Sequence, residues 1–282
     1  MICVSLTEEI ENQLKKSIKK NKTMGLVPTM GSLHSGHLSL IEQAYEKNDV
    51  VWVSIFVNPI QFNNSNDLKN YPRNLKNDIS KIQHLSDKVR VFNPSVKEMY
   101  KDGLSTNYYD FEPLDTIMEG EFRKNHFNGV ATIVYKLLKL FNPNDVYFGE
   151  KDFQQVLIIK KLIIIEKFEL NLIVSKTVRE ENGLAYSSRN NRLTNSDRKK
   201  ASIIYKSLIF IKSNFKKKPL NVLRSHVISS IEKIKNFKVQ YLEILDNNSL
   251  SPYNNENDSS IQRAFICVVV NDIRLIDNIL LN

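Results

Sequence analysis

The sequence predicts an α/β protein with a parallel sheet covered by helices on both faces, followed by a smaller α+β domain. Apolar, β-branched runs alternate with helical patterns up to about residue 178, and two helices then precede two strands. All eight glycines lie at or before Gly183, and six of the eight prolines fall between Pro28 and Pro143. Because glycine and proline mark tight turns and close backbone approaches, we expect the functional site in the first two thirds of the chain.

Strands and helices alternate in this first part. The predicted strands cover residues 26–30, 50–58, 89–92, 145–150 and 170–178, and the predicted helices cover residues 36–47, 74–85, 128–141 and 153–167. Strands that are apolar throughout, with helices between them, are typical of a parallel sheet that is buried on both faces. We therefore predict a Rossmann-like, doubly wound domain over residues 1–176.

The remaining chain, residues 177–282, has a different order of elements. Helices are predicted near 195–215 and 219–236, and strands at 239–245 and 264–270 flank a polar loop at 247–262 that is expected to be mobile. Thr194 followed by Asp197 predicts a helix cap before the first of these helices. We interpret this part as a second, smaller α+β domain.

Composition excludes several classes of protein. No apolar run reaches the roughly 18 to 20 residues that span a bilayer, and acidic residues near the start argue against a signal peptide, so we expect a cytoplasmic protein with no membrane partner. Cys3 and Cys267 are too few for a disulfide framework. The lysines behind the net charge of +9 are scattered, which favours a solvated surface that attracts small anions over a nucleic-acid partner.

The stretch TMGSLHSGHLSLIEQA, residues 29–44, contains two of the five histidines. His34 and His37 lie about one helical turn apart at the predicted start of a helix that follows the first strand. A helix start offers unpaired N–H groups and partial positive charge, and Gly36 allows a nucleotide to approach the backbone. The two imidazoles could therefore grip a phosphate and stabilise the charge that it gains during attack at phosphorus.

Purely structural roles are the alternative for this and other motifs. One histidine could cap or pack while the other faces solvent, and a zinc site would need a third ligand that no accompanying motif supplies. No Walker A sequence and no GxGxxG is present. Elsewhere, Asn58 could be a turn residue, Lys151 and Asp152 a surface ion pair, residues 187–189 a capping loop, and His126 a helix-entry residue.

Seven segments together carry a family resemblance over about residues 24–278. In chain order they read VPTMGSLHSGHLSLI, VSIFVNPIQF, DLKNYPRNL, NPSVKEMY, GEKDFQQV, GLAYSSRNNRL and RLIDN. HxGH after a strand resembles the nucleotidylyltransferase superfamily, and the full set resembles the pantothenate synthetase family, the pantoate:beta-alanine ligases. The resemblance implies the HxGH type of Rossmann-like fold, with the small C-terminal domain acting as a lid.

The resemblance also implies site residues. Catalytic roles fall to His34, His37, Lys151 and Arg189. ATP contacts fall to Met30, His34, Gly36, His37, Gly149, Lys151, Asp152, Val178, Ser187, Ser188 and Arg189. Pantoate contacts fall to Asn58, Gln61, Phe62, Arg123, Val130 and Gln155. Neutral amides suit a carboxylate nucleophile, because a tight ion pair would quench its reactivity.

The implied reaction is ATP-dependent condensation of pantoate with beta-alanine through a pantoyl adenylate, releasing pyrophosphate and AMP. The implied partners are these substrates, Mg²⁺ with the ATP and a second copy of the chain in a homodimer, for which Tyr71 and the second-strand region are candidate contacts. No protein ligand to magnesium is assigned, although Asp78 is a candidate. The alternative is another HxGH adenylate-forming ligase or nucleotidylyltransferase with a different acceptor.

Three departures from the family pattern stand out. Lys124 and Asn125 replace an expected Pro-Gly after Arg123, which predicts a looser loop there. Asn271 replaces an expected glycine ahead of RLIDN, and Asn77 replaces one member of an acidic pair. We expect Asn271 to affect packing of the small domain and not its chemistry.

Overall fold

The computed structural model describes residues 2–18, 21–253 and 260–281. Residues 254–259 of the polar loop predicted to be mobile lie outside the described residues. The chain divides into two compact units, one formed by Met1–Glu150 with Gln154–Lys176 and the other by Lys151–Phe153 with Thr177–Asn282. In the described ranges, no helix is both long and apolar enough to cross a membrane.

The described part of the first unit contains one six-stranded sheet in the order β1-β4-β3-β2-β5-β6. All neighbouring strands are parallel. The strands are β1 (Ile2–Val4), β2 (Met24–Thr29), β3 (Val50–Ile55), β4 (Val89–Phe92), β5 (Asp145–Gly149) and β6 (Asn171–Ser175). The predicted parallel sheet is confirmed, and β1 is an addition whose three residues are too few to show a periodic pattern.

Helices cover this sheet and connect its strands. They are α1 (Thr7–Ile18), α2 (Ser35–Lys47), α3 (Ser65–Lys69), α4 (Leu75–Ile82), α5 (Val96–Met99), α6 (Glu119–Phe122), α7 (His126–Phe141) and α8 (Phe153–Ile165), with 3₁₀ turns at Pro59–Gln61 and Glu150–Asp152. All six residues of β3 are buried, as expected for a central strand packed on both faces. Strand order reverses between β2 and β5, so the carboxyl ends of these two strands form the switch point at which such sheets bind ligands.

The second unit has an antiparallel sheet in the order β7-β8-β9 over its described residues. Its elements are a 3₁₀ helix at Ser188–Arg192, α9 (Asn195–Lys200), α10 (Ile203–Asn214), α11 (Leu220–Glu232), β7 (Phe237–Asp246), β8 (Gln262–Val270) and β9 (Ile273–Leu280). Apolar residues of α10 and β8, among them Leu208 and Ile266, form its core. The single helix predicted at 195–215 is two helices, and β9 was not predicted.

The predicted cap at Thr194 is confirmed, because its side chain accepts a hydrogen bond from the Asp197 N–H at 3.1 Å. This hydroxyl satisfies one of the backbone donors that the first turn of α9 leaves without a helical partner. Thr194 therefore has a local structural role.

Two of the departures from the family pattern occupy left-handed backbone conformations. Asn125, before α7, has φ 62° and ψ 2°, and Asn271, in the two-residue turn between β8 and β9, has φ 45°. Glycine adopts such conformations without steric cost, and asparagine tolerates them better than most other residues. At both positions asparagine therefore replaces glycine where the backbone demands a positive φ.

Candidate active site

The two histidines of the HxGH motif lie at the carboxyl end of β2, where α2 begins. His34 precedes the first residue of α2, and the rings of His34 and His37 stack with centroids 4.0 Å apart. The backbone N–H of His34 donates to Nδ1 of His37 at 3.4 Å. Because Nδ1 accepts this bond, a neutral His37 ring carries its proton on Nε2, where it can be donated to a ligand.

Asp78 holds the loop that leads into these histidines. Its buried carboxylate accepts hydrogen bonds from the N–H groups of Ser32 at 2.8 Å and Leu33 at 2.7 Å. Lys81, one turn further along α4, donates to the Leu33 carbonyl. The loop is also shaped by Gly31, whose φ of 78° favours glycine. These contacts give Asp78 a structural role, and its suggested role toward magnesium stays a prediction.

No group of three or more His, Cys, Asp and Glu side chains arranged to hold a metal ion occurs in the described ranges. A magnesium ion brought by ATP can take its oxygen ligands from phosphate groups and water, with few protein ligands.

Asn58 and Gln61 form a buried hydrogen-bonded pair just after β3. Asn58 Nδ2 donates to Gln61 Oε1 and to the Gly129 carbonyl, each at 3.0 Å. Asn58 Oδ1 accepts from the Tyr100 hydroxyl at 2.7 Å, and Gln61 Nε2 donates to Met30 Sδ at 3.2 Å. Asn58 is thus more than a turn residue, and the structure brings together three predicted site residues: Met30, Asn58 and Gln61.

Helix α7 fixes the backbone beside this pair. His126 Nδ1 lies 2.8 Å from the Gln61 carbonyl, which can only accept, so Nδ1 carries the proton. A Cβ on Gly129 would lie 2.7 Å from the Ile60 carbonyl oxygen, so this close approach requires glycine. His126 is the first residue of α7, as its interpretation as a helix-entry residue predicted, and it also positions Gln61.

The predicted apolar contacts of pantoate, Phe62 and Val130, come from two different segments of the first unit. Val130 is buried in α7, and Phe62 is half-buried with its ring edge-on to Tyr71 at a centroid distance of 5.6 Å. Tyr71 is only 5% exposed and β3 is fully buried, so these candidate dimer contacts offer almost no surface in the single chain.

The two adjacent glutamines of α8 have different surroundings. Gln154 is buried and donates to the carbonyls of Leu114 at 2.7 Å and Ile117 at 2.8 Å, while its Oε1 accepts from the Glu119 N–H. Gln155 is half-buried, which leaves its amide accessible to a ligand. This supports the prediction of Gln155, and not its neighbour, as the ligand-binding glutamine.

Arg123 follows the last residue of α6. Its guanidinium lies 3.4 Å from a carboxylate oxygen of Glu119, and this Glu119 carboxylate is 8% exposed. The carbonyl of Lys124 accepts a hydrogen bond from the Asn63 side chain, which ties the loop to the segment after Gln61. The substituted loop is thus held by a specific contact.

In the second unit, Lys151 is held by both its side chain and its backbone. Its Nζ lies 3.0 Å from Asp152 Oδ1, and its carbonyl accepts from Asn278 Nδ2 at 2.9 Å. Asn278 Oδ1 in turn accepts from Arg263, whose guanidinium lies over the Phe153 ring. The ion pair allowed for as an alternative is present, and β9 contributes a further contact that supports the lysine.

A cavity of this unit is lined by Lys151, Ser187, Asn190 and Asp277 together with apolar side chains. Two predicted ATP-binding residues, Lys151 and Ser187, therefore share one recess. Asp277 forms a bidentate pair with Arg179, at 2.5 and 3.0 Å, and burial raises the pKa of its carboxyl. The pair anchors the chain next to Val178, another predicted ATP contact.

Ser188 and Arg189 of the segment GLAYSSRNNRL lie in the 3₁₀ helix Ser188–Arg192, and Ser187 directly precedes it. Ser187 accepts from the Arg189 N–H at 3.3 Å, so it acts as a cap, and Ser188 is buried. Val178 and Arg189 are half-buried, and Gly149, at the end of β5 in the first unit, has open space where a Cβ would lie. The capping alternative is therefore correct for Ser187, while its role toward ATP stays a prediction.

Sequence reasoning did not assign functions to several residues that support the site. Tyr100, Gln154, Asp277 and Asn278 all fall inside segments that carry the family resemblance, which was the available signal. Their partners are far away in the chain, so no local spacing could reveal their roles.

Comparison with known proteins shows which family the chain is similar to. The family model described as pantoate-beta-alanine ligase matches residues 3–280. Pantothenate synthetase from Flavobacterium psychrophilum is 44% identical over 279 residues, covering 99% of both chains. The corresponding protein from Azobacteroides pseudotrichonymphae is 42% identical over 281 residues, again covering 99% of both.

Solved structures show the same similarity. Pantothenate synthetase from Thermus thermophilus superposes with a TM-score of 0.90 at 36% identity, covering 99% of both chains. Pantoate-beta-alanine ligase from Francisella tularensis, complexed with beta-gamma ATP and beta-alanine, gives a TM-score of 0.82 at 39% identity over 99% of this chain and 97% of that chain. The resemblance carried by the seven segments is confirmed over nearly the whole length.

Proposed function

This chain belongs to the pantoate-beta-alanine ligase family, and we propose that it condenses pantoate with beta-alanine to pantothenate, converting ATP to AMP and pyrophosphate. The observation that carries the proposal is the stacked pair of His34 and His37 at the start of α2, beside the carboxyl end of β2. A nucleotide phosphate there meets both imidazoles and the positive end of the helix.

In the first half-reaction, a carboxylate oxygen of pantoate attacks the α-phosphorus of ATP. The bond from that phosphorus to the bridging oxygen of pyrophosphate breaks, and the pyrophosphate leaves with the electron pair. Negative charge builds on the phosphoryl oxygens, where Nε2–H of His37, His34 and the N-terminus of α2 stabilise it. One well-placed donor of this kind contributes about 3 kcal/mol to the transition state.

The groups assigned to pantoate are neutral apart from Arg123. We assign its polar contacts to the amides of Gln61 and Gln155, with Asn58 behind Gln61, and its dimethyl group to Phe62 and Val130. The buried hydrogen bonds of Asn58 keep the Gln61 amide in one place, which lowers the entropy lost on binding. Arg123 is assigned to the same end of the site.

The ATP phosphates and ribose are assigned to a further set of side chains. We assign Lys151, Ser187, Ser188 and Arg189 to the phosphates and Asp152 to the ribose hydroxyls. A guanidinium fork suits phosphate oxygens, and a lysine supplies a point charge. Met30, Gly36, Gly149 and Val178 complete the nucleotide contacts. The lid role of residues 177–282, and their separation from a substrate-binding domain at 1–176, stay predictions.

In the second half-reaction, the amine of beta-alanine attacks the acyl carbon of pantoyl adenylate. The acyl–phosphate bond breaks, AMP leaves, and the amine loses a proton as the amide forms. The reaction needs no covalent bond to the protein. The enzyme contributes by orienting the two reactants and by stabilising the charge on the departing phosphate.

A pyrophosphate-release assay with Mg-ATP tests this proposal. With pantoate alone, we expect a burst of pyrophosphate equal to the enzyme concentration, because the adenylate stays bound. Adding beta-alanine should turn the burst into continuous release with one AMP per pyrophosphate. No release with pantoate under either condition would contradict the proposal.

The alternative is an HxGH enzyme with another acceptor. Three relatives that match at 42 to 44% identity are pantothenate synthetases, so the alternative is not favoured. Pyrophosphate release with a different carboxylic acid, and none with pantoate, would favour it.

Magnesium, the homodimer and the cytoplasmic location are further parts of the proposal. Mg²⁺ would arrive with ATP, because magnesium usually binds through phosphates and water with few protein ligands. Chelation with EDTA should stop pyrophosphate release, and excess Mg²⁺ should restore it. Light scattering coupled to size exclusion should give twice the chain mass of 32.7 kDa.

A further inference from the structure

Tyr100 begins a chain of buried hydrogen bonds that ends at Gln61. It follows α5, is 4% exposed, and donates its hydroxyl proton to Asn58 Oδ1 at 2.7 Å. Asn58, which is 1% exposed, donates from its Nδ2 to Gln61 Oε1 at 3.0 Å. Asn58 and Gln61 lie at the two ends of the 3₁₀ turn after β3, whereas Tyr100 comes from the end of α5.

The direction of every bond in this chain is set by one backbone group. Asn58 Nδ2 also lies 3.0 Å from the Gly129 carbonyl oxygen, which can only accept. The nitrogen of the Asn58 amide must therefore face Gly129, and Oδ1 must face Tyr100. Since Asn58 presents N–H to Gln61, the atom of Gln61 that meets it must be the oxygen.

As a result, Gln61 directs its NH₂ group, and not its oxygen, away from Asn58. In the structure Nε2 lies 3.2 Å from Met30 Sδ, which is a weak acceptor. A carboxylate or hydroxyl oxygen would be a stronger one, and bonds to a charged acceptor are about twice as strong as neutral ones. The ligand atom that Gln61 recognises is therefore an acceptor oxygen.

We propose that Tyr100 is a positioning residue for the acid substrate: through Asn58 it holds the Gln61 amide with Nε2 toward an acceptor oxygen of that acid. This inference rests on the proposed function, in which Gln61 binds pantoate. It adds a residue that touches no substrate, and it assigns the direction of the Gln61 hydrogen bond.

The surroundings of Tyr100 keep its hydroxyl protonated, so that it can always donate a hydrogen bond. Burial raises the pKa of its hydroxyl well above the ordinary value, so the group keeps its proton at any pH used for assay. Its ring lies 6.3 Å from that of Phe56, and Lys136 Nζ is 5.3 Å from the ring centroid. Phenylalanine could keep these ring contacts and lose only the hydroxyl.

The first test is Tyr100→Phe, compared with Tyr109→Phe as a matched control. Tyr109 is also buried, and its hydroxyl donates to Glu166 at 2.9 Å, with no contact to Asn58. Loss of one buried donor should raise the KM for pantoate about fivefold to tenfold in Tyr100→Phe. In the same variant, the KM values for ATP and beta-alanine should stay within twofold of wild type. In Tyr109→Phe, the KM values for all three substrates should stay within twofold of wild type.

The second test is Gln61→Glu, which probes the direction of the bond. One carboxylate oxygen would still accept from Asn58, but the other would face the acceptor oxygen of the acid. We expect the KM for pantoate to rise at least 100-fold while the thermal midpoint changes little. If Tyr100→Phe does not fold, this variant still tests the inference, because the inference depends on the direction of the Gln61 hydrogen bond.

Several outcomes would overturn the inference. An unchanged KM for pantoate in Tyr100→Phe, or equal rises in all three KM values, would show that Tyr100 is merely structural. Normal use of pantoate by Gln61→Glu would show that Gln61 accepts from a ligand hydroxyl. If the wild-type enzyme used another acid and not pantoate, the proposed function would fail, and the same comparison with that acid would still decide the role of Tyr100.

Discussion

The carboxylate of Asp78 accepts a hydrogen bond of 2.7 Å from the backbone N–H of Leu33, the residue just before the HxGH motif. Its second oxygen accepts from the N–H of Ser32. Two backbone donors, one buried and one partly buried, therefore depend on one carboxylate from a helix that lies more than forty positions further along the chain. The placement of His34 depends on α4 as well as on α2.

Replacing Asp78 with asparagine should loosen this loop. An amide has one acceptor oxygen, so one of the two N–H groups loses its partner, which costs about 1 to 3 kcal/mol of unfolding free energy. We expect a lower thermal midpoint and at least a tenfold lower turnover, because small displacements of catalytic groups slow reactions steeply. Calorimetry and steady-state assays measure both. An unchanged midpoint with a raised Mg²⁺ requirement would instead favour the magnesium role.

Removing either histidine of the motif should abolish most adenylate formation. His34→Ala or His37→Ala takes away one stabilising group at the phosphate, and loss of one such donor typically lowers turnover about 10² to 10³-fold. Pyrophosphate release in a single turnover reports this step directly. His84→Ala is the control, because His84 is exposed and its ring lies 3.0 Å from the side chain of its neighbour Gln83, away from the motif. Near-normal release by the motif variants would refute the assignment.

Asn278→Ala should weaken ATP binding through Lys151. The substitution removes the donor that holds the Lys151 carbonyl at 2.9 Å, so the lysine is less well placed. We expect the KM for ATP to rise about fivefold, as for one lost neutral hydrogen bond, with the KM for pantoate unchanged. Asn247→Ala is the matched control, because Asn247 also accepts from Arg263 but does not contact Lys151. Equal effects of the two variants would contradict the prediction.

Asp272→Gly should stabilise the second unit. Asn271 and Asp272 have φ values of 45° and 67° in the turn between β8 and β9, and Asn-Gly is the preferred sequence for such a turn. Glycine adopts the left-handed conformation of residue 272 without the steric cost that Asp272 has, so the unfolding free energy should rise by at most about 1 kcal/mol. We expect the thermal midpoint to rise by about 2 to 4 °C with unchanged kinetics. A lower midpoint would show that Asp272 makes a stabilising contact.

Glu98 should make stability depend on pH in the acid range. Hydrogen bonds from the Thr7 hydroxyl and N–H, helped by Lys101, lower the pKa of its carboxyl to about 2 from an ordinary value near 4.5. Since the folded-state pKa is depressed, the stabilisation is complete above about pH 4.5 and is lost as the pH falls toward 2. Urea midpoints measured from pH 6 to pH 3 should fall less steeply for Glu98→Gln than for wild type.

Helices and strands with continuous or periodic apolar patterns could be predicted from the sequence. The strands at 50–58 and 89–92 and the helix at 128–141 have continuous or periodic apolar patterns, and each matches an observed element. Strand β9 was missed because Asp277 and Asn278 are polar yet buried, at 4% exposure each. Arg179 and Arg263 pair with these two side chains from other elements, so the strand's own pattern does not show why they are inside.

The sequence by itself determined the fold class, the family and the position of the two histidines at a helix start. These depend on spacing along the chain, because side chains three or four residues apart on a helix are neighbours. Only the tertiary structure decided that Asp78 holds the loop, that Gln154 is structural, and that Gln61 presents its NH₂ group. Those facts depend on hydrogen bonds between residues such as Tyr100 and Asn58, 42 positions apart, and Asn58 and Gly129, 71 positions apart. Such pairings are created by folding, and no local pattern encodes which atom of an amide will face a given neighbour.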